Sequence, residues 1–270
     1  MNRFEQALTP YMDRRVLAAW VGGSHAHGLA SPDSDIDLRI VIAPNPEDIL
    51  LGRADRTKGL HGPDITITTP IPLLTGLTKG APNTLEALSL PDDCLLLDAG
   101  LLHMLAPLAG RLTSRNTIDM ALGNVKGNLH LLARDGLDER KRRKLQGETM
   151  RLLASIGHVT AGRDTDTPWP CRLDADLDVL REIREHGMDD AELAAQLPDM
   201  LAYASSRRLH TPDRKTIRET ERLVAGLMKG LVDGTTATFP MESVPAMLEI
   251  RFERHIRLMD GHRPRTRRMR

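Results

Sequence analysis

The stretch Val16-Leu17-Ala18-Ala19-Trp20-Val21-Gly22-Gly23-Ser24, continued after a short gap by Ser34-Asp35-Ile36-Asp37-Leu38-Arg39-Ile40-Val41-Ile42, decides how this chain is read. Residues 16–21 are an apolar run of buried-strand length, and the two glycines end it. Ser24 has the character of an N-cap for a short helix carrying His25, Ala26 and His27, which Gly28 and the turn residues Ser31, Pro32 and Asp33 close. From Asp35 to Ala43 the apolar Ile36, Leu38, Ile40 and Ile42 alternate with Asp35, Asp37, Arg39 and Val41, the period of a strand with one apolar face. A third strand is expected from Asp64 to Thr69, where Ile65 and Ile67 alternate with threonines.

Asp35 and Asp37 share a face in such a strand, with carboxylates roughly 6–7 Å apart along the chain. A neighbouring strand can add Asp64 beside them. Carboxylates gathered on one sheet face repel, so cations are expected between them, and hard oxygen donors suit Mg²⁺ above all. The Gly22-Gly23-Ser24 turn permits close backbone approach and offers N–H groups to an anion. A phosphate binder next to metal-binding carboxylates is the equipment of phosphoryl transfer. Taken singly, Gly-Gly-Ser is a common turn and Asp-x-Asp a common solvated strand end. Their order, spacing and strand context together favour the chemistry.

Working outward, Phe4, Leu8, Tyr11 and Met12 give an opening helix, and residues 47–51 a short one. A helical pattern runs from Pro72 to about Leu90, broken at Gly80, Ala81 and Pro82. Beyond Asp98 no strand is expected. Helical segments follow at about 101–108, 117–134, 139–161, 174–186, 190–206, 213–231 and 243–258, with loops at Thr160–Pro170 and Gly234–Pro240. The expected organisation is a mixed α/β catalytic unit over 1–98, a helical unit over 99–262 and a basic tail over 263–270.

The 270 residues include 37 Lys+Arg and 37 Asp+Glu, a net charge of zero that by itself speaks against a polyanionic partner. The distribution differs from the sum: up to Asp98 there are 8 basic and 13 acidic residues, so the remainder is basic by the same margin. Basic residues concentrate at Arg140-Lys141-Arg142-Arg143-Lys144 and from Arg263 to Arg270. No apolar run reaches the roughly 18–20 residues of a membrane span, and no leader is evident, so a soluble cytoplasmic protein is expected. Cys94 and Cys171 lack metal-ligand spacing and read as reduced, partly buried thiols. Only 3% of residues are aromatic, too few for base-stacking platforms.

The pattern of apolar strand, Gly23-Ser24, Asp35-x-Asp37 and a later Asp64 resembles the DNA polymerase beta nucleotidyltransferase superfamily. More narrowly, Gly23-Ser24-His25-Ala26-His27-Gly28-Leu29-Ala30-Ser31-Pro32-Asp33-Ser34-Asp35-Ile36-Asp37-Leu38-Arg39 is similar to the RNA repair pathway DNA polymerase beta family. Leu77, Lys79, Gly80, Pro82, Asn83, Glu86 and Leu88 match a downstream stretch of that family. The chain has His25 and His27 where members commonly carry Arg and Tyr, and Ile36 where they carry an aromatic residue.

The resemblance implies an α/β (α+β) palm-like mixed sheet with flanking helices, followed by an all-α C-terminal domain. It implies transfer of a nucleoside monophosphate from an NTP, such as ATP, to an acceptor hydroxyl with release of pyrophosphate. Asp35, Asp37 and Asp64 are then the catalytic and metal-binding residues for two Mg²⁺ or Mn²⁺ ions, and Gly23, Ser24, Arg39, Lys79 and Asn83 the nucleotide-binding ones. An RNA 3′ end, held through Arg140–Lys144 and Arg263–Arg270, is the favoured acceptor. A protein side chain or small molecule is the alternative, and a catalytically silent nucleotide- or RNA-binding module the alternative of another class. Several residues keep two readings at this stage. Arg39 pairs with Asp37 or contacts a phosphate; Lys79 contacts triphosphate or is solvated; His25 and His27 contact phosphate or acceptor, or lie at the surface; Arg140–Lys144 grips phosphates or forms a solvated helix face.

Overall fold

One sheet organises the chain, in the order β3-β2-β1-β4: β1 is Arg15–Gly22, β2 Asp37–Ile42, β3 Ile65–Thr68 and β4 Leu95–Asp98. A short β5, Phe239–Pro240, pairs with the start of β1. β1 runs antiparallel to β2, β4 and β5, and β2 parallel to β3. This is a computed structural model that describes residues 3–31, 34–54, 65–161, 166–207, 211 and 213–249. Its helices are α1 Arg3–Leu8, α2 Gly23–Ala26, α3 Pro46–Leu50, α4 Pro70–Lys79, α5 Pro82–Leu85, α6 Leu101–Leu105, α7 Ala109–Leu112, α8 Arg115–Leu132, α9 Glu139–Ala161, α10 Leu177–His186, α11 Asp190–Ser206 and α12 Arg214–Val232. Residues 243–249 are also helical. Among the described residues no helix is long and apolar enough to cross a membrane.

The two-residue period of β2 fixes which side chains reach the site. Ile36, Leu38, Ile40 and Ile42 are buried with Ile65 and Ile67 of β3, against Leu8 of α1 and Met241, Val244 and Leu248. Each such side chain contributes about 1.5–3 kcal/mol when fully buried. A slip of one residue would expose the whole row, so the register is firmly set. The intervening residues therefore face the other way: Val41 packs with Leu17, Ala18 and Trp20 into a larger core shared with the helices, while Asp37, Arg39, Thr66 and Thr68 line a cleft. That core extends from β1 and β2 through α6, α8 and α9 to Val224 and Met228 of α12.

Four details differ from the expectations drawn from sequence. β2 begins at Asp37, paired with Gly22 at the end of β1, so Asp35 lies in the connection before the strand. The N-cap of α2 is Gly22, with Ser24 inside the helix. β4 is a strand made of three leucines and an aspartate, and β5 is a strand within the expected loop Gly234–Pro240, beyond Asp98 where none was expected. Trp169 and Pro170, read as the end of an exposed loop, are buried. The Trp169 amide donates to Thr113 Oγ1 (2.8 Å) and its carbonyl accepts from Ser89 Oγ (2.7 Å), which satisfies the backbone of a segment without regular structure.

Candidate active site

The site begins where β1 turns into α2. Gly23 has φ +57°, and a Cβ there would overlap Asp37 Oδ2. Glycine is thus required twice, for the left-handed backbone and for the space the Asp37 carboxylate occupies. Since α2 has only four residues, its capacity to hold an anion rests on turn N–H groups and not on a helix dipole.

The turn is held from behind by the segment that follows Trp169. Arg172 donates through Nε to the Ala26 carbonyl (3.1 Å) and through Nη2 to the His25 carbonyl (3.3 Å), and Arg181 Nε donates to the Gly28 carbonyl (3.1 Å). Leu29 packs between Leu173 and Leu180.

Gly23, Ser24, Asp35, Asp37, Arg39 and Asn83 line one cleft of about 1490 Å³. Arg39 donates to Thr66 Oγ1 (3.1 Å) across β2 and β3, and among the described residues it makes no ion pair with Asp37. Lys79 is exposed in the last turn of α4 and stands apart from the cleft lining. Asp64 and the tail Arg263–Arg270 lie outside the described residues. Arg140, Lys141, Arg143 and Lys144 at the start of α9 line the opposite wall. Arg142 points elsewhere, to Asp190. Asp138, immediately before the helix, accepts from the Lys141 amide through its side chain (3.1 Å). Cations in these first turns oppose the macrodipole, so they do nothing to stabilise the helix.

Part of the cleft lining is a charged network that the sequence signals only indirectly. Arg151 of α9, with its side chain 2% exposed, donates to Glu86 Oε1 (2.9 Å) and, through Nε and Nη2, to both oxygens of Glu148 (2.9 and 2.7 Å). Burial alone would raise the Glu86 pKa, but Arg151 first and then His27 overcome it and hold the carboxyl down at about 2. The same carboxylates keep Arg151 charged despite its burial. Because Glu86 is ionised, His27 Nε2 is the donor in its 3.1 Å contact with Glu86 Oε2. Sequence similarity marked Glu86 without a role, and nothing local marked Arg151.

Two groups of donors are candidates for a metal. His27, Glu86 and Cys171 bring a nitrogen, an oxygen and a sulfur within 4.8 Å of one another. There Arg151 already neutralises the carboxylate, and burial first, then Glu86, push the Cys171 thiol well above its usual range, away from the thiolate a metal needs. Asp35 and Asp37 fit better. Both are oxygen donors open to the cleft, and Gly23 leaves the room that the Asp37 carboxylate uses.

Residues 1–60 match the model of the RNA repair pathway DNA polymerase beta family. The matched residues contain β1, the Gly22-Gly23-Ser24 turn, Asp35 and Asp37, so this part of the chain resembles a DNA polymerase beta-type nucleotidyltransferase. No curated protein matches the chain.

Proposed function

We propose that the protein is a metal-dependent nucleotidyltransferase that moves a nucleoside monophosphate from an NTP to an acceptor hydroxyl, with an RNA 3′ end as the acceptor. The observation that carries this reading is the convergence of Gly23, Ser24, Asp35 and Asp37 on one cleft, with the Asp37 carboxylate filling the space that Gly23 leaves. In the reaction the acceptor oxygen forms a bond to the α-phosphorus, the bond to the bridging oxygen breaks, and pyrophosphate leaves.

Each residue has a distinct task in this reading. Turn N–H groups at Gly23 and Ser24 bind the triphosphate, with Arg39 and Asn83 on the same cleft as further polar contacts. Lys79 is given no role, because it stands apart from the cleft. Asp35 and Asp37 hold the divalent ions, two of Mg²⁺ or Mn²⁺. Bound there, these would supply charge neutralisation at the leaving group and a lowered pKa for the attacking hydroxyl. Asp64 is proposed as the third carboxylate, which takes the acceptor proton, from its place immediately before Ile65, the partner of Leu38 next to Asp37.

The cleft is larger than the roughly 300–1,000 Å³ of a site for one small ligand. Its volume of about 1490 Å³ supports a donor and an acceptor in one space, with the basic α9 wall facing the acceptor. Replacing Asp35 and Asp37 by Asn and following label from each of the four NTPs into RNA, protein and metabolite fractions tests the assignment. Loss of transfer to RNA is expected. Transfer that survives both substitutions would reject the carboxylates, and label found only on protein would reject the acceptor.

A further inference from the structure

Arg184 on α10 is a half-buried residue that lines the cleft, and among the described residues it forms no ion pair. α10 meets α9 closely at Gly147, where an added Cβ would lie 3.6 Å from Arg184 Cδ, so the arginine stem rests across the glycine. Among the described residues no carboxylate lies within ion-pair distance of its head. Glu148 follows Gly147, but both its oxygens accept from Arg151. Burial lowers the Arg184 pKa, Glu148 offsets part of this, and the like charge of Arg140 lowers it further. A partly desolvated cation whose neighbouring carboxylate, Glu148, is already engaged by Arg151 is costly until another anion reaches it. Arg140 and Lys144 add to the positive field on the same wall, where they also oppose the α9 dipole.

We propose that Arg184, flanked by Arg140 and Lys144, is a phosphodiester subsite for the nucleic-acid acceptor. A guanidinium presents a planar fork to two phosphate oxygens, which suits a diester in a nucleic-acid backbone. The donor triphosphate is placed on the sheet wall at Gly23 and Ser24, so the phosphate bound here belongs to the acceptor strand. This inference rests on the RNA-acceptor reading given above.

Binding of a fluorescein-labelled RNA hairpin with a free 3′ end, followed by anisotropy across a salt titration, tests the subsite. Mg²⁺–ATP binding is measured in parallel. Arg184→Gln keeps the Cβ and Cγ methylenes, puts an amide carbon where Cδ rests on Gly147, and removes the charge. It should weaken RNA binding several-fold and reduce the magnitude of the salt slope by about one. ATP affinity should be unchanged, and the thermal midpoint unchanged or raised, since a structural ion pair would be lost only at a cost. Arg184→Lys should keep most of the salt slope and lose part of the affinity. Unchanged RNA affinity and slope in Arg184→Gln would overturn the subsite while leaving the acceptor reading intact. Weakened ATP binding with unchanged RNA binding would overturn it by assigning the guanidinium to the donor. Wild-type protein that binds ATP and no RNA would overturn the acceptor reading and the subsite with it.

Discussion

The two walls of the cleft hold their charges by different means. On the sheet wall, Asp37 and Arg39 are placed by backbone pairing, Gly22 with Asp37 and Trp20 with Arg39, and Gly23 supplies space for a carboxylate. On the helical side, Arg151 is placed by two carboxylates, the nearly enclosed Glu86 and the partly exposed Glu148. Damage to the first wall should therefore appear mainly in chemistry, and damage to the second mainly in stability.

The largest expected effect lies in the network. Arg151→Met removes the cation between two carboxylates and should lower unfolding stability by about 3–5 kcal/mol, the usual cost of breaking a buried ion pair. Chemical denaturation measures it. Adding Glu86→Gln and Glu148→Gln should restore much of the loss, because neutral partners need no counter-charge. A triple variant no more stable than Arg151→Met would mean that the network acts through packing and not through charge.

Acid sharpens the same contrast. Glu86 titrates at about 2 in the folded protein against an ordinary 4.5, so its ionised form contributes stability in full above pH 4.5 and loses it as pH falls towards 2. The contribution is about 3 kcal/mol at the pKa difference involved. Stability measured between pH 6 and 2 should fall more steeply in the wild type than in Glu86→Gln, and parallel curves would remove the carboxylate from the network's energetics.

On the sheet wall, Gly23→Ala places a side chain in the left-handed region, at about 1–2 kcal/mol, and displaces the Asp37 carboxylate. A misplacement of this kind costs on the order of 100-fold in rate. Single-turnover transfer from labelled NTP, set beside the denaturation midpoint, should show the rate falling further than stability accounts for. Equal losses would mean that the turn only supports the fold.

These unlike origins also govern what could be read from sequence. The sheet wall was legible because its signals are local: a two-residue alternation over 36–42, two glycines at a strand end, and aspartates that alternate with the apolar row. β4 was not, since Leu95-Leu96-Leu97 carries neither alternation nor β-branching and suits a helix equally well. Arg151 looks in sequence like any polar residue of a long helix, and its burial depends on Glu86, 65 positions away. The basic run at 140–144 was visible as charge, but that four of its five members face the cleft while Arg142 leaves for Asp190 is a result of helix packing. Trp169 was hidden among loop residues for the same reason: its partners Thr113 and Ser89 come from distant parts of the chain.

The smallest effect is expected where the two sides of the molecule meet. Arg172 belongs to the helical side, yet it donates to the Ala26 and His25 carbonyls and reaches Asp93 (3.3 Å), so it ties the α2 turn to the segment anchored by Trp169. Each such bond contributes about 0.5–1.5 kcal/mol net, and Asp93 is partly exposed, so its ion pair adds little. Arg172→Ala should therefore cost about 1–2 kcal/mol of stability. The turn it releases is the proposed triphosphate binder, so Mg²⁺–ATP affinity should fall several-fold while RNA affinity holds. Arg172→Lys can replace one donor but not the fork that spans two carbonyls, and should sit between the two in ATP affinity. If ATP affinity is the same in all three proteins, the turn keeps its shape without support from behind, and the sheet wall alone sets the donor site.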